Sequence, residues 1–332
     1  MSAPALSVIM SVWNDGAFVG QAIDSILGQS FGDFEFLIVD DHSTDGSGEV
    51  INQRADHDSR IRVLPSGEKG RVPALNRLLR EARAPLIALM DSDDISAPQR
   101  FERQLAFLAA HPDHGAISCE CDKIDQTGAK LERPPIDRPT SHDGLVANFE
   151  SGPLLNHNAV MIRRAALDQI DGYRAAFCHA EDYDLWLRLS EVAKLANLPE
   201  TLVSYRIHTR QVSDANLVEQ TRNAALAWLS YCARRDGRSD PSNGLTTLPD
   251  LDGIDCLFGS GSAAYVRRRI VERILYAPEA LAGDGWPALI AHIGEVGPAP
   301  HLWRATARLA AGGKPLHAAR AALALAKARI AA

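Results

Sequence analysis

Residues 90–98 read MDSDDISAP and set three carboxylates, Asp91, Asp93 and Asp94, within four positions directly after the apolar run at 85–90. A single Asp in such a place would be a turn former or the N-cap of the next helix. Three repel one another, and carboxylates at positions n and n+2 of an extended turn can share one side. A hard divalent cation, Mg2+ or Mn2+, held by one or two carboxylates together with substrate phosphates relieves that repulsion. A calcium loop is disfavoured, because Ile95 and Ser96 follow where its glycine would stand. A second acidic pair, Asp40-Asp41, precedes the turn formers Ser43, Asp45 and Gly46, and Trp13 closes an earlier apolar run. Two acids suit hydrogen bonds from a base imide and a ribose hydroxyl, and a flat indole suits stacking; the plainer reading is an ordinary turn. Neither the phosphate-cradling GxxxxGK(S/T) nor a strand-following GxGxxG occurs.

These clusters need elements to bring them together. Residues 6–13 form a short apolar run rich in β-branched side chains, and Phe18, Val19, Ala22, Ile23, Ile26 and Leu27 recur behind it at helical spacing. Residues 34–39 repeat the strand signal, 46–55 read as a short helix and 61–64 as a third strand. Val72, Leu75, Leu78, Leu79 and Ala82 make a helical stripe, 85–90 a fourth strand, and Phe101, Leu105 and Leu108 the next helix, opened by Pro98. Strands alternating with helices imply a parallel α/β sheet covered on both faces. Ligands of such sheets bind beyond the carboxyl ends of the strands, so Trp13, Asp40-Asp41 and residues 91–94 should line one edge.

From 112 to 152 the pattern gives way to Pro, Gly and charge, which reads as a loop or mobile cover whose Pro134-Pro135 pair excludes a regular helix. Order resumes at 159–163, then in a helix at 182–189 with Leu185, Leu189 and Val192 on one face, and in a closing strand at 201–207. Beyond 211 the chain turns Ala/Leu/Arg-rich and helical, apart from a polar linker at 234–253.

With 332 residues and 46% hydrophobic content, the chain can build one large core and an appendage. A net charge of −7 and a pI near 5.9 argue against a nucleic-acid partner. The charge is uneven: no acidic residue follows Glu295, whereas Arg304, Arg308, Lys314, Arg320, Lys327 and Arg329 do. That amphipathic, cationic segment, with Leu316, Leu323 and Ile330 along it, suits either peripheral contact with an anionic membrane face or a helical bundle. The five cysteines are odd in number and Cys119-Glu-Cys121 lacks the gap of a metal knuckle, so they are expected to be reduced core residues. No stretch reaches the roughly 18 apolar residues of a membrane span, and the start has no basic flank before its apolar run. A cytoplasmic location is therefore expected; the oligomeric state is left open, a homo-oligomer included.

Four segments in register, SVIMSVWND, FLIVDDHSTDGS, ALNRLLREARAPLIALMDSDDISAPQRFERQLAFL and AEDYDLWLRL, resemble the family 2 glycosyltransferases of the GT-A fold over residues 5–210. The resemblance implies a Rossmann-like, mostly parallel sheet flanked by helices in a catalytic domain at 1–210. Residues 1–100 would form its nucleotide-sugar half, 101–210 its acceptor half, and 211–332 a mostly helical extension. Position by position, it implies that Asp41 sits under the nucleobase and Trp13 where a ring stacks on it. Asp91 falls near the ribose and donor sugar, and Asp93 at the metal-binding end of the DxD motif. Arg71 matches a basic residue near the nucleotide. Asp182, after Glu181, falls where the family has its catalytic base. Arg206 and His208 resemble a Tyr-Arg-x-His element that reaches the diphosphate or metal. Ser11, on the donor side, stands with Val12 where many members carry Pro before the aromatic residue. His157 and Asn158 could contact acceptor or donor sugar, or cap backbone.

The chemistry asks for the same roles. Charge building on a leaving diphosphate is neutralised by a divalent cation, and an acceptor hydroxyl, too weak an acid to ionise at neutral pH, needs a general base. One base opposite the leaving group makes a single inverting displacement. The expected partners are thus a nucleotide diphosphate-sugar, a UDP-sugar first, and a saccharide or lipid-linked saccharide. Two other readings stand beside it: a phosphatase using Asp91 and Asp93 as nucleophile and acid, and a non-catalytic nucleotide-sugar-binding subunit.

Overall fold

Strand β1 (Leu6–Val12) is apolar on both faces and almost wholly buried, the signature of a central strand in a covered parallel sheet. It pairs in parallel with β2 (Phe34–Asp40) on one side and β4 (Leu86–Leu89) on the other, and β2 pairs with β3 (Ile61–Leu64). The connecting helices α1 (Val19–Leu27), α2 (Ser47–Ala55), α3 (Arg71–Glu81) and α4 (Arg100–Ala110) lay their apolar stripes on the sheet. The computed structural model describes residues 3–132, 138–208 and 216–331, with side chains as far as 328. The Pro134-Pro135 pair lies outside the described residues.

The full order of the eight-stranded sheet is β3-β2-β1-β4-β7-β6-β8-β5, so the second half is mixed rather than parallel. Strand β7 (Met161–Arg163) runs antiparallel to both β4 and β6 (His114–Ile124), and β8 (Lys194–Arg206) runs parallel to β6 with bulges. A two-residue strand, β5 (Ile95–Ser96), follows the acidic turn and pairs antiparallel with β8. Strand β6 corrects the expectation of a loop over 112–152: its Ala116, Ile117 and Cys119 are buried, but the interleaved Ser118, Glu120 and Asp122 conceal the apolar run. Within the same stretch, α5 (His142–Asn148) opens on Ser141, whose Oγ accepts from Gly144 N at 3.3 Å. Strand β8 likewise begins well before 201. Helices α6 (Arg164–Asp168) and α7 (Glu181–Leu189) complete this part; Val192, expected on the α7 face, lies beyond the helix and is exposed.

The chain folds as two compact units, Met1–Ala175 with Glu181–Arg210, and Ala176–Ala180 with Gln211–Ala332. The second unit is helical: α8 (Leu217–Arg235), α9 (Ile254–Phe258), α10 (Ser262–Ile274), α11 (Pro278–Ala282), α12 (Trp286–Val296), α13 (Pro300–Ala311) and α14 (Pro315–Ala331). Proline in the first turn opens α11, α12 and α13, where no backbone donor is needed. The polar linker after α8 is pinned, because Asp240 accepts from Arg234 Nη1 at 2.6 Å and from Ser242 N at 2.8 Å. No helix among the described residues is long and apolar enough to cross a membrane. All five cysteines are free, but Cys119 alone is buried while Cys178 and Cys256 are exposed, which corrects their placement in the core.

At the amino-terminal edge of the sheet, Glu35 of β2 lies opposite Ser7 of β1 in register and accepts Ser7 Oγ at 2.7 Å. The same carboxylate takes Arg83 N at 2.7 Å, Arg83 Nε at 2.9 Å and Arg62 Nη1 at 2.6 Å. Burial alone would raise its pKa; the bonds from Arg83, Ser7 and Arg62 outweigh that and lower it. A lowered carboxylate stabilises the fold above the ordinary glutamate range and loses that contribution as pH falls through its native value. Glu35→Gln should therefore cost about 1–3 kcal/mol in urea unfolding near neutral pH, and the difference from wild type should shrink as the solution is acidified.

Candidate active site

Register carries β1 and β2 to the same height, Val12 opposite Asp40, so Trp13 and Asp41 leave the sheet side by side. Asp41 N donates to Val12 O at 2.8 Å. The two following turns are knitted together. Asn14, in the left-handed region at φ 55°, donates its N–H to Ser43 Oγ and accepts Thr44 N on its own Oδ1 at 2.8 Å. Asp15 N donates to Ser47 Oγ at 3.0 Å and Gly16 N to Asp45 Oδ2 at 2.9 Å. Asp40 belongs to this turn, its Oδ1 accepting Ser43 N at 3.0 Å. Asp41 is different: both its oxygens accept Gly70 N, at 3.1 and 2.9 Å, where the chain enters α3. Gly70 has φ +130°, a conformation that side-chain-bearing residues rarely adopt. Trp13 leaves 48% of its surface open, with Lys69 Nζ 5.9 Å from the ring centroid. Ser11, one turn of the pleat earlier on β1, is partly buried.

After β4 the three acids separate. Asp94 is fully buried, accepting Arg206 N at 2.7 Å on one oxygen and the Asn158 amide on the other. Burial and then its neighbours Asp93 and Asp91 push its pKa well up. It holds the loop to the sheet. Asp91 lies 2.8 Å from Arg71 Nη2 and 3.5 Å from His157 Nδ1; burial would raise it, but those two groups keep it below the usual carboxylate range. Asp93 Oδ2 lies 3.0 Å from His208 Nε2, and burial together with Asp91 raises its pKa.

Among the described residues no three His, Cys, Asp or Glu side chains converge as a preformed metal cage. A hard cation that keeps water and substrate phosphates in its shell needs only one or two carboxylates from protein, so the partly desolvated Asp93, crowded by Asp91, fits that role. Arg206 sits beneath this loop. Its Nε donates to Asp93 O at 2.7 Å, its Nη2 to Gln21 Oε1 at 2.8 Å, and its guanidinium covers the Phe18 ring at 4.9 Å. With its side chain buried, it clamps the turn instead of facing an opening. Asn158, also buried, is a clamp of the same loop through Asp94.

Arg71 opens α3 and joins the acidic corner to α7. Its Nε donates to Glu181 Oε1 at 2.8 Å while Nη2 serves Asp91 and lies 3.1 Å from His157 Nδ1. His157 Nε2 in turn lies 3.0 Å from the Tyr173 hydroxyl. Asp182 follows Glu181, its Oδ1 accepting Tyr183 N at 2.7 Å, and burial plus the Glu181 charge push its pKa to about 6. The start of α7 is held by Asp184, which accepts Arg174 Nε at 3.0 Å and Arg188 Nε at 2.9 Å.

Three residues of this site escaped sequence reading. Asp15 accepts Ser92 Oγ at 2.5 Å, and burial, with Asp93 and Asp91 adding, pushes its pKa to about 6. Its position two residues beyond a strand-end aromatic was a usable signal. Tyr173 and Lys69 offered none, since nothing local marks them.

This geometry brings a partly buried, raised carboxylate, an acid pair after a strand and an open indole to the carboxyl edge of one sheet. The glycosyl transferase family 2 model matches residues 7–171. EpsE of Bacillus subtilis (strain 168) is 35% identical over 221 residues, covering 64% of this chain and 76% of that protein. The O-antigen biosynthesis glycosyltransferase WbnJ of Escherichia coli is 30% identical over 220 residues, covering 64% of this chain and 83% of its own. The chain belongs to glycosyltransferase family 2.

Among solved structures, the mannosyltransferase PcManGT from Pyrobaculum calidifontis, in complex with GDP-Man and Mn2+, superposes with a TM-score of 0.54 at 19% identity, over 99% of this chain and 87% of that one. S. aureus TarS 1-349 in complex with UDP-GlcNAc gives 0.55 at 16% identity, over 97% of this chain and 88% of its own. The fold is thus GT-A-like, a mixed sheet flanked by helices with a helical C-terminal region.

A base works in its ionised form. If Asp182 is the base that the resemblance implies, its pKa of about 6 makes turnover rise as pH climbs through about 6 and level off above it. In Asp182→Asn that limb should vanish along with most of the turnover, about a hundredfold or more, as read from initial rates across pH.

Proposed function

We propose that the chain transfers a sugar from a nucleotide diphosphate-sugar, a UDP-sugar first among them, to a hydroxyl of a glycan or lipid-linked saccharide, with inversion, in the assembly of a cell-surface polysaccharide. The observation that carries this reading is the Arg71 fork. One guanidinium ties Asp91 of the acidic turn to Glu181, the neighbour of Asp182, and so sets the donor-side acids and the base at a fixed spacing. The names of the relatives support the polysaccharide setting, and the sugar nucleotides in the matched solved structures support the donor class.

In this reading the nucleobase lies against the open face of Trp13, with the Asp41 carboxylate beneath it, oriented by Gly70 N. Asp91 faces the ribose and donor sugar. A divalent cation, Mg2+ or Mn2+, held by Asp93 with His208 beside it would neutralise charge on the leaving diphosphate. Asp182 takes the proton of the acceptor hydroxyl as its oxygen bonds to the anomeric carbon; the bond from that carbon to the diphosphate oxygen breaks on the opposite face. A pKa near 6 suits this work, high enough for useful basicity and low enough for the carboxylate to be ionised at neutral pH. His157, hydrogen-bonded between Arg71 and Tyr173, orients the pair and borders the acceptor side. A reducing, cytoplasmic compartment agrees with the five free cysteines.

A phosphatase would need Asp91 as a free nucleophile, and here Arg71 and His157 hold it. Calorimetric titration of nucleoside diphosphates and their sugars with Mn2+ or Mg2+ tests the donor reading. UDP-sugars should bind in a metal-dependent manner, Asp93→Ala should lose that dependence, and its turnover should fall by about a hundredfold or more with the fold retained. Full metal-dependent turnover by Asp93→Ala would overturn the assignment.

A further inference from the structure

Helix α14 has two unlike faces. Ala318, Ala321 and Leu325 are buried on one side, whereas Leu316 and Leu323 leave 76% and 57% of their surface open on the other. Leu316, Ala319, Leu323 and Ala326 recur at helical spacing, and the exposed Arg320 and Lys327 stand one position beyond Ala319 and Ala326, along one flank of the stripe. The preceding helix repeats the pattern on a smaller scale, with Trp303, Arg304 and Ala307 exposed. Lys314 pairs with Glu279 at 2.6 Å and Arg308 covers the Tyr276 ring at 3.9 Å, but Arg304, Arg320 and Lys327 make no ion pair among the described residues. The segment after Glu295 holds six Lys and Arg and no acid, on a chain whose net charge is −7.

We propose that this face of α14 docks the protein on an anionic phospholipid bilayer. Two leucines and two alanines are too little apolar surface for the packed centre of a protein–protein interface, which needs roughly 800 Å² from each partner. They do suit shallow insertion of side chains between lipid headgroups. Arginine and lysine beside them can lay their methylene stems along the acyl boundary and keep their charges at the phosphates, an arrangement an acidic protein surface would not require. With so small an apolar face the cations must contribute much of the attraction, so binding should demand anionic lipid and weaken with salt. Since α14 is not long and apolar enough to span, the helix lies along the interface. Docking of this kind is independent of the transfer reaction proposed above.

The test is flotation of the full chain with vesicles of phosphatidylcholine alone and of phosphatidylcholine with phosphatidylglycerol in equal parts. The wild type should float only with the anionic vesicles and be released by raised salt. Leu316→Ser with Leu323→Ser, and Arg320→Glu with Lys327→Glu, should each weaken binding by about tenfold or more while circular dichroism and thermal unfolding stay as in wild type. Absence of wild-type binding at low salt, or double variants that float as wild type does, would overturn the proposal. So would a dimer in sedimentation velocity that the leucine pair dissolves, because the face would then belong to a second copy.

Discussion

Mutual repulsion of carboxylates, in a corner where burial weakens their contact with water, is the constraint on which the site depends. Asp15, Asp91, Asp93, Asp94, Glu181 and Asp182 are gathered by two strand ends and one helix start. Each ionised member raises the cost of ionising the next. The pattern of shifts shows where that repulsion is answered. Asp91, gripped by Arg71 and His157, is held low; Asp15, Asp93 and Asp182 are raised. The cations of the corner therefore offset only part of its negative charge. What remains is a demand for positive charge at Asp93, and a raised carboxylate at Asp182.

The sheet meets this constraint by returning to the acidic turn from the far side. Parallel β1, β2 and β4 alone would leave residues 91–94 without cover. The short β5 pairs with β8, Ile95 with Ser204 and Ser96 with Val203, and that register sets Arg206 against Asp94 and His208 against Asp93. A slip of one residue would turn those side chains to the opposite face. The antiparallel β7 acts in the same way, since the short helical turn before it delivers His157 to Asp91 and Asn158 to Asp94. The mixed half of the sheet thus supplies the polar ceiling of a site whose floor is parallel.

This division explains what could be read in advance. The first four strands and their helices were legible, because buried parallel strands are continuous apolar runs and covering helices carry apolar stripes. Strand β6 was not, because polar residues, the buried Ser118 among them, interrupt the run, and β5 is too short to leave any pattern. Local composition also cannot tell Asp91 and Asp93 from Asp94. All three follow β4 in one turn, yet Asp94 is buried under Arg206 and Asn158, partners distant in sequence. The same holds for Arg206. Its motif was visible, but its side chain lies over Phe18 and under the turn, which only tertiary packing decides.

Arg71 ties the acidic turn after β4 to the start of α7. A guanidinium presents donors in a rigid fork, so one side chain can bond Glu181 through Nε and Asp91 through Nη2 at once. A lysine, with one compact charge on a flexible stem, would have to favour one acid, leaving the other unpaired in a poorly solvated place. Loss of the Glu181 bond would free that carboxylate beside Asp182, whose pKa already feels the Glu181 charge. Loss of the Asp91 bond would return another negative charge to the corner around Asp93. Arg71 therefore bears at once on the charge beside Asp182 and on the charge around Asp93, and the rigidity of its planar group fixes how Glu181 and Asp91 are spaced.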